Sequence, residues 1–265
     1  MPPTDVTFRS YDGTRLAGTL VAPPGAGRSA VLVHGGGVTR TEGGFYVRLA
    51  DALAAAGIAS LRFDLRGHGD SGGRQEDLTL SAAANDVRAA VEEMAAPVTV
   101  IGTSFSGGIC ALVAAAGKPA LRSLVLFNPL LDYKRRFVDE KPYWSADHLD
   151  PAFADELDQR GYLEHSPTFR LGRAMLNEVF HVSARAALRR ITVPTLLVHG
   201  TKDTFIRVDS SREAVGQLPA EGTLIEVEGA QHGFAVHDDP AYAEPQTRAW
   251  QNLVIRETTE WITRH

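Results

Sequence analysis

A serine that follows a predicted strand is the first residue in this chain whose setting suggests chemistry. An apolar, β-rich run ends near Ile101, Ser104 follows it, and an Ala-rich helical run occupies residues 109–116. A sharp turn between a strand and a helix lifts a serine hydroxyl clear of the sheet, and the N–H of the next residue, Phe105, can then stabilise an oxyanion. This setting predicts that Ser104 is a nucleophile that attacks a carbonyl carbon.

The residues around Ser104 leave alternatives open. Gly102 and Ser104 fit the Gly-x-Ser-x-Gly pattern of such a turn, but Ser106 replaces the second glycine. Ser106 is itself an alternative nucleophile, because Gly108 lies two residues beyond it, although the strand would then end too far upstream. A third interpretation is that Ser104 only caps the following helix.

A serine hydroxyl is a weak nucleophile at neutral pH, so it needs a histidine base and a carboxylate that orients this base. Asp203 follows a predicted strand at residues 194–198, and His232 follows the last predicted strand in a Gly-flanked turn. Each is an ordinary loop residue when taken alone. Together they give the chain order Ser, Asp, His, which predicts Asp203 as the orienting acid and His232 as the general base. His237 is the less favoured base.

A glycine-rich loop follows the predicted strand at Ala30 to Val33. His34 is followed by three glycines, which expose closely spaced backbone N–H groups. We expect Gly36 or Gly37 to provide the second oxyanion donor, and we expect His34 and His199 to be structural hydrogen-bonding residues. The alternative is a flexible turn without a catalytic role.

The run Gly67 to Gly72 matches the Gly-x-Gly-x-x-Gly pattern of dinucleotide-binding proteins. Polar loop residues rather than a helix follow it, and Asp70 would repel a pyrophosphate. We therefore do not predict a dinucleotide site here.

Strands and helices alternate through the chain in the order that would place these loops together. A hairpin over residues 4–22 turns at Asp12 and Gly13, and buried strands then alternate with helices. This pattern predicts an α/β fold with a doubly wound, mostly parallel sheet and an N-terminal antiparallel hairpin. Ligands of such sheets bind at the carboxyl ends of the strands. The predicted elements after the hairpin are strands at Ala30 to Val33, Ile58 to Phe63, Val98 to Ile101, 123–127, 194–198 and Thr223 to Val227, and helices at 45–56, 79–95, 109–116 and 243–263.

The alternation breaks between Leu131 and Ile191, where a short crossover would suffice. Eight of the twenty aromatic residues lie in this stretch. We predict one domain over residues 1–265, with residues 132–190 inserted as a helical cap above the carboxyl edge of the sheet. Five aromatic residues of the cap are the candidate substrate-binding residues, because ligand pockets are mostly apolar: Phe137, Tyr143, Trp144, Phe153 and Phe180.

Composition excludes several classes of function. The net charge of −5 comes from mixed signs without a basic stripe, which argues against a nucleic-acid partner. Cys110 is the only cysteine, so the chain cannot form an internal disulfide or a Cys-based zinc site, and we interpret it as a small core side chain. We predict no metal and no cofactor. The sequence has no leader-like start and no long apolar run, so we expect a cytoplasmic protein without a membrane partner. The sequence is compatible with a homodimer.

Together these motifs resemble the α/β-hydrolase superfamily, and within it the cinnamoyl/feruloyl-esterase-like serine hydrolases. The matching segments begin at His34, Phe63, Gly102, His199 and Gly229, and they span nearly the whole chain apart from the cap. The resemblance implies hydrolysis of a small-molecule ester through an acyl-enzyme, with Ser104, Asp203 and His232 at the triad positions. Thr103 and Ser106 depart from the histidine and glycine that are common in those esterases.

The sequence therefore predicts a serine hydrolase that cleaves an aryl or acyl ester. Two alternatives remain, and the altered turn favours the first. One is a thioesterase, acyltransferase or cyclase that acts on a biosynthetic acyl intermediate. The other is a catalytically silent binding protein with the same fold.

Overall fold

A mostly parallel eight-stranded sheet forms the centre of the computed structural model, which describes residues 2–94, 97–237, 239 and 241–265. Its strands lie in the order β1-β2-β4-β3-β5-β6-β11-β12, and four shorter strands form two hairpins outside it. The strands are β1 (Thr4–Arg9), β2 (Arg15–Val21), β3 (Arg28–Val33), β4 (Ile58–Phe63), β5 (Val98–Thr103), β6 (Leu121–Phe127), β7 (Trp144–Ser145), β8 (His148–Leu149), β9 (Tyr162–Ser166), β10 (Phe169–Gly172), β11 (Thr195–Gly200) and β12 (Gly222–Val227).

Helices cover both faces of this sheet. The α-helices are α1 (Phe45–Ala55), α2 (Leu80–Glu93), α3 (Phe105–Ala116), α4 (Pro151–Arg160), α5 (Arg173–Glu178), α6 (Ala184–Ala187), α7 (Asp209–Val215) and α8 (Pro245–Arg264). In the order of the sheet, each neighbouring pair of strands from β4 to β12 is parallel. The pairs β1–β2 and β2–β4 are antiparallel. The predicted α/β fold and its N-terminal hairpin are confirmed. Ala95, the last residue of the predicted helix 79–95, lies outside the described residues.

The alternating side chains of β3 explain why both faces are covered. Val31 and Val33 join the apolar cluster that includes α2 and α3, whereas Ala30 and Leu32 join the cluster that includes α1 and α8. Successive side chains of a strand point to opposite faces, so a continuous apolar run fits only a strand with helices on both sides. This packing fixes β3 and β5 as neighbours at the middle of the sheet.

The point where the chain reverses direction across the sheet lies between β3 and β5. From β3 the chain first adds β4 on one side, and it then crosses to β5 and continues outward on the other side. The loops after two adjacent strands diverge at such a point and leave a crevice at the carboxyl edge. The Gly-rich loop after β3 and Ser104 after β5 therefore lie next to each other.

The segment between β6 and β11 contains α4, α5 and α6 together with the hairpins β7–β8 and β9–β10. A helical insert was expected, and the two hairpins were missed because their strands are too short for a clear alternation. Its buried side chains, among them Phe137, Leu157 and Phe169, join the cluster that contains α2 and α3. The insert therefore packs on the same core as the helices of the sheet.

A buried ion pair joins the loop after β4 to α2. The Arg66 guanidinium donates to Asp86 at 2.7 Å, and the Asp86 side chain is fully buried. Arg66 also donates to Asp12 in the turn of the N-terminal hairpin. These contacts connect three parts of the fold that are distant in sequence.

We expect Asp86→Ala to lower the free energy of unfolding by about 3–5 kcal/mol, because it leaves the Arg66 charge buried without its main partner. Urea denaturation of the purified variant measures this loss. Asp155→Ala, at an exposed position of α4, is the control and should change the free energy of unfolding by no more than about 0.5 kcal/mol. Equal stability of the two variants would contradict the role of this ion pair.

Candidate active site

Ser104 lies in a strained turn between β5 and α3. Its φ of 53° and ψ of −116° lie outside the regions that are comfortable for a residue with a side chain. The Ser104 N–H donates to Phe127 O at 2.8 Å, and Ser104 O accepts from Leu130 N–H at 2.9 Å. Backbone bonds to the end of β6 and the following loop thus hold the strained turn, and the side chain remains partly exposed at the edge of the sheet.

Close packing around Ser104 requires small residues. A β-carbon added to Gly102 would lie 2.7 Å from Cys110 Sγ, and one added to Gly107 would lie 2.6 Å from Pro129 Cβ. Cys110 is a buried core residue, as expected, and its burial raises the pKa of the thiol well above its ordinary value. Its thiol is therefore not a competing nucleophile.

Ser106 is buried and has a structural role. Its hydroxyl donates to Val33 O at 2.7 Å and accepts from Thr103 N–H at 3.0 Å, so it links β3 to the turn after β5. The Ser106 side chain has no access to a substrate. Of the two candidate nucleophiles, only Ser104 is placed to react. The other departure from the esterase pattern, Thr103, contacts the Tyr46 hydroxyl at 2.6 Å.

His232 connects Ser104 to Asp203. Its Nε2 lies 2.9 Å from Ser104 Oγ, and its Nδ1 lies 2.7 Å from Asp203 Oδ2. The Asp203 carboxylate can accept hydrogen bonds but cannot donate them. His232 Nδ1 therefore carries the proton, and Nε2 accepts a hydrogen bond from the Ser104 hydroxyl. The structure thus brings together the three residues that the sequence singled out after three different strands.

Asp203 is held as a carboxylate. Burial would raise its pKa, but hydrogen bonds from His199 and His232 and the charge of His232 hold that pKa well below its ordinary value. Asp203 Oδ1 also accepts the N–H groups of Phe205 and Ile206 at 2.8 and 2.9 Å. A fixed carboxylate at this position stabilises an imidazolium that forms on His232.

The Gly-rich loop after β3 faces Ser104. A β-carbon added to Gly36 would lie 3.3 Å from Phe105 Cβ, so the two backbones are close. Gly37 was an equal candidate for the oxyanion hole, but its N–H donates to His68 Nε2 at 3.2 Å and is therefore occupied. No hydrogen bond of the Gly36 N–H occurs among the described residues. The N–H of Phe105, the first residue of α3, has no partner within its helix. Gly36 and Phe105 are the candidates that remain.

His34 and His199 make structural contacts, as expected. His34 Nε2 accepts from Leu65 N–H at 3.0 Å, and its Nδ1 donates to Gly35 O at 2.7 Å. Burial, together with the nearby His68, lowers the pKa of His34 to about 3, so its imidazole stays neutral. His199 contacts Ser211 Oγ and Ile206 O and supports the loop that carries Asp203.

Among the candidate substrate-binding residues, Phe137 lies next to the site. Its ring centre is 6.3 Å from that of Phe105 and 6.5 Å from that of Phe169. The described contacts do not bring the other four candidates to Ser104. They pair within the insert instead, at the edge of the core that it shares with α2 and α3: Tyr143 stacks on Phe153 at 4.6 Å, and Trp144 packs on Phe180 at 5.8 Å.

Sequence reasoning missed Phe169 and Phe205. The Phe169 ring packs at 5.0 Å on that of Phe105 and lies against Gly36. Phe205 packs at 5.3 Å on His232, and 60% of its surface is exposed. A large exposed phenylalanine two residues after the acid was the available signal for Phe205. Phe169 gave no signal, because its contacts depend on how the β9–β10 hairpin folds back.

The loop at Gly67 to Gly72 is a tight turn without a following helix. Asp64 accepts the Asp70 N–H at 3.0 Å and forms an ion pair with Arg40. A β-carbon on Gly69 would collide with the Asp64 carboxylate. These glycines therefore allow the turn to pack, and α2 begins only at Leu80.

A cavity of about 480 Å³ adjoins the triad. Its wall includes Leu130, next to the Ser104 turn, and Thr204 to Ile206, next to Asp203. Its apolar lining includes Leu130, Phe205 and Ile206, and charged side chains of both signs lie in its wall as well, among them Arg136, Arg207, Asp209 and Glu213. The cavity is large enough for a small organic ligand.

Comparison with known proteins agrees with this geometry. The family described as serine aminopeptidase, S33 (Hydrolase_4) matches residues 26–239. The chain belongs to this family. The α/β-hydrolase superfamily that the sequence motifs indicated is thereby confirmed.

Several relatives of this S33 hydrolase are named esterases or lipases. It is 28% identical over 98% of its length to a monoacylglycerol lipase from Mycolicibacterium smegmatis, 96% of which is covered. It is 26% identical over 87% of its length to a pimeloyl-[acyl-carrier protein] methyl ester esterase from Xylella fastidiosa, 96% of which is covered. The Est1E structure from Butyrivibrio proteoclasticus with bound ferulic acid shares the fold, with a TM-score of 0.80, 20% identity and 98% of both chains covered. Among the described residues, no helix of the S33 hydrolase has the length and hydrophobicity of a membrane span.

We expect a fluorophosphonate probe to add once to the wild-type protein and not to Ser104→Ala, because the partly exposed Ser104 hydroxyl has a histidine base in reach, whereas Ser211, which contacts His199, is fully buried. Intact-mass spectrometry measures the adduct. Ser106→Ala is the matched control and should keep the adduct, although its loss of buried hydrogen bonds costs about 1–3 kcal/mol of stability. An adduct on Ser104→Ala would disprove the assignment.

Proposed function

We propose that this chain is a serine esterase that cleaves a small-molecule carboxylic ester through an acyl-enzyme, with Ser104 as nucleophile, His232 as general base and Asp203 as orienting acid. The observation that carries the proposal is the position of His232, 2.9 Å from the serine oxygen and 2.7 Å from the carboxylate. Three groups in these positions from three separate loops activate a serine hydroxyl.

The first half of the reaction follows from this arrangement. As Ser104 Oγ bonds to the carbonyl carbon, its proton passes to His232 Nε2, and the carbonyl electrons move onto oxygen. The N–H groups of Phe105 and Gly36 bind that oxyanion. The imidazolium then gives its proton to the leaving alcohol oxygen as the ester bond breaks, which leaves the acyl group on Ser104.

Water completes the cycle by the same route in reverse. His232 removes a proton from a water molecule that attacks the acyl carbon, and the proton returns to Ser104 Oγ as the acid is released. Asp203 keeps its charge throughout, because its pKa lies far below neutral pH. The site itself therefore has every group that ester hydrolysis requires.

The surroundings of the triad favour a partly apolar ester. The described residues expose three large hydrophobic side chains, and two of these, Val38 and Phe205, lie next to the Gly-rich loop and His232 respectively. Phe205 also borders the adjoining cavity, where Arg136 lies 5.8 Å over its ring. Exposed apolar surface at the mouth of a site favours an apolar ligand. The named substrates of the two curated relatives, a monoacylglycerol and a methyl ester, are also carboxylic esters.

We expect the protein to hydrolyse p-nitrophenyl esters, and we expect Asp203→Asn to lower kcat by about 10⁴-fold because His232 loses the partner that fixes its tautomer. Release of p-nitrophenol measures the rate. A panel of short and long acyl chains, methyl ferulate, a monoacylglycerol and an acyl thioester then identifies the preferred class. Asp155→Asn, in an exposed position of α4, is the control.

Product analysis separates hydrolysis from transfer. Mass spectrometry of reactions with added alcohols and amines should show the free acid as the main product. Transfer or cyclisation products as the main outcome would overturn hydrolysis in favour of an acyltransferase. Tight ligand binding without turnover of any ester or thioester would support a silent binding protein instead.

A further inference from the structure

Three consecutive amide groups in the loop after β3 differ in how they are held. The Gly35 N–H donates to Glu42 Oε2 at 2.8 Å, and the Gly37 N–H donates to His68 Nε2 at 3.2 Å. Within the described residues, the Gly36 N–H between them has no partner. Two side chains thus hold the outer amides and leave the central amide available to a ligand.

The structure holds Glu42 in place at the cost of backbone strain. Glu42 has a φ of 46°, in the left-handed region that non-glycine residues avoid, and Gly43 and Gly44 continue this conformation at 62° and 88°. The Glu42 side chain is nevertheless buried, and only 7% of the residue is exposed. Strain of this kind persists where the surrounding structure requires one particular position.

The carboxyl group of Glu42 and the side chain of Ser104 both lie against Gly35. A β-carbon added to Gly35 would be 3.4 Å from Ser104 Cβ and 3.5 Å from Glu42 Oε1. The titratable groups that interact with this carboxyl are His232, Tyr46 and Tyr242. Burial raises the pKa of Glu42 to about 7, against the opposing effects of the Gly35 N–H and of His232.

We propose that Glu42 is a positioning residue for the oxyanion hole: it holds Gly35 so that the Gly36 N–H points to the oxygen of the substrate carbonyl. This inference rests on the proposed esterase function and identifies a residue that the triad itself does not include. Glu42 does not touch the substrate in this role, and it acts through the backbone of the loop. His68 holds the other side of the same loop, and burial lowers the pKa of His68, so its Nε2 remains an acceptor.

The charge of Glu42 adds a pH dependence with a definite sign. As the pH rises through about 7, Glu42 ionises and its hydrogen bond to Gly35 becomes charge-assisted and stronger. Loss of the charge should therefore remove the rise in activity near pH 7 that the ionisation of Glu42 contributes.

The test compares Glu42→Ala, which removes the acceptor and the charge, with Glu42→Gln, which keeps an amide oxygen for Gly35 but removes the charge. We expect Glu42→Ala to lower kcat for a p-nitrophenyl ester by about 10²-fold with KM nearly unchanged, as for loss of an oxyanion donor. Glu42→Gln should recover most of this activity, and its profile of kcat/KM against pH should lack the rise near pH 7 that Glu42 contributes in the wild type. Glu93→Gln, an exposed residue of α2, is the control with wild-type behaviour.

Two further measurements complete the experiment. Thermal unfolding shows whether each variant is folded, and the rate of labelling by the fluorophosphonate probe reports the reactivity of Ser104. Folded Glu42→Ala with wild-type kcat would overturn the inference, as would a Glu42→Gln profile that superimposes on that of the wild type. If Glu42→Ala does not fold, the Glu42→Gln profile decides alone. Absence of any probe adduct on the wild type would reject the esterase function itself. If the probe labels Glu42→Ala as fast as it labels the wild type, only the positioning role is rejected.

Discussion

The parallel alignment of β3, β5, β6, β11 and β12 is the constraint on which the rest of this structure depends. Parallel strands end at one edge of a sheet, so the loops that follow them meet there although they are far apart in sequence. Ser104 and His232 are 128 residues apart along the chain and 2.9 Å apart in space. The apolar faces of the strands, buried by helices on both sides, hold this alignment and thereby position the polar groups at the edge.

Strain concentrates at that edge and is supported by neighbouring backbone. The positive φ angles of Ser104 and Glu42 occur on the two adjacent loops that line the crevice between β3 and β5. Hydrogen bonds from β6 and the loop after it hold the Ser104 turn, while Ser106 ties that turn to β3. The glycine that is usual at position 106 would lack these bonds, so the serine gives this chain an additional connection between the two central strands.

Buried polar side chains extend the site beyond the triad. Neutral His34 and His68, and the buried carboxyl of Glu42, hold the Gly-rich loop at several points and leave Gly36 unpaired. A donor fixed before the substrate arrives needs no reorganisation when charge develops on the carbonyl oxygen. The insert contributes Phe169, which packs on Phe105 and Gly36, so the apolar wall of the site comes from a part of the chain far from either loop.

The sequence by itself determined the fold class, most element positions and the three candidate triad residues that the structure brings together, because buried strands, helix periodicity and loop glycines are local signals. It could not determine which neighbours occupy a given N–H, so Gly36 and Gly37 remained equivalent until His68 was seen to bind the Gly37 amide. It also placed Tyr143, Trp144, Phe153 and Phe180 near the substrate, because composition does not show which aromatic rings pack on one another. Glu42, a lone acidic residue before two glycines, has no periodic pattern, and only the tertiary packing brings its carboxyl to the Gly35 N–H.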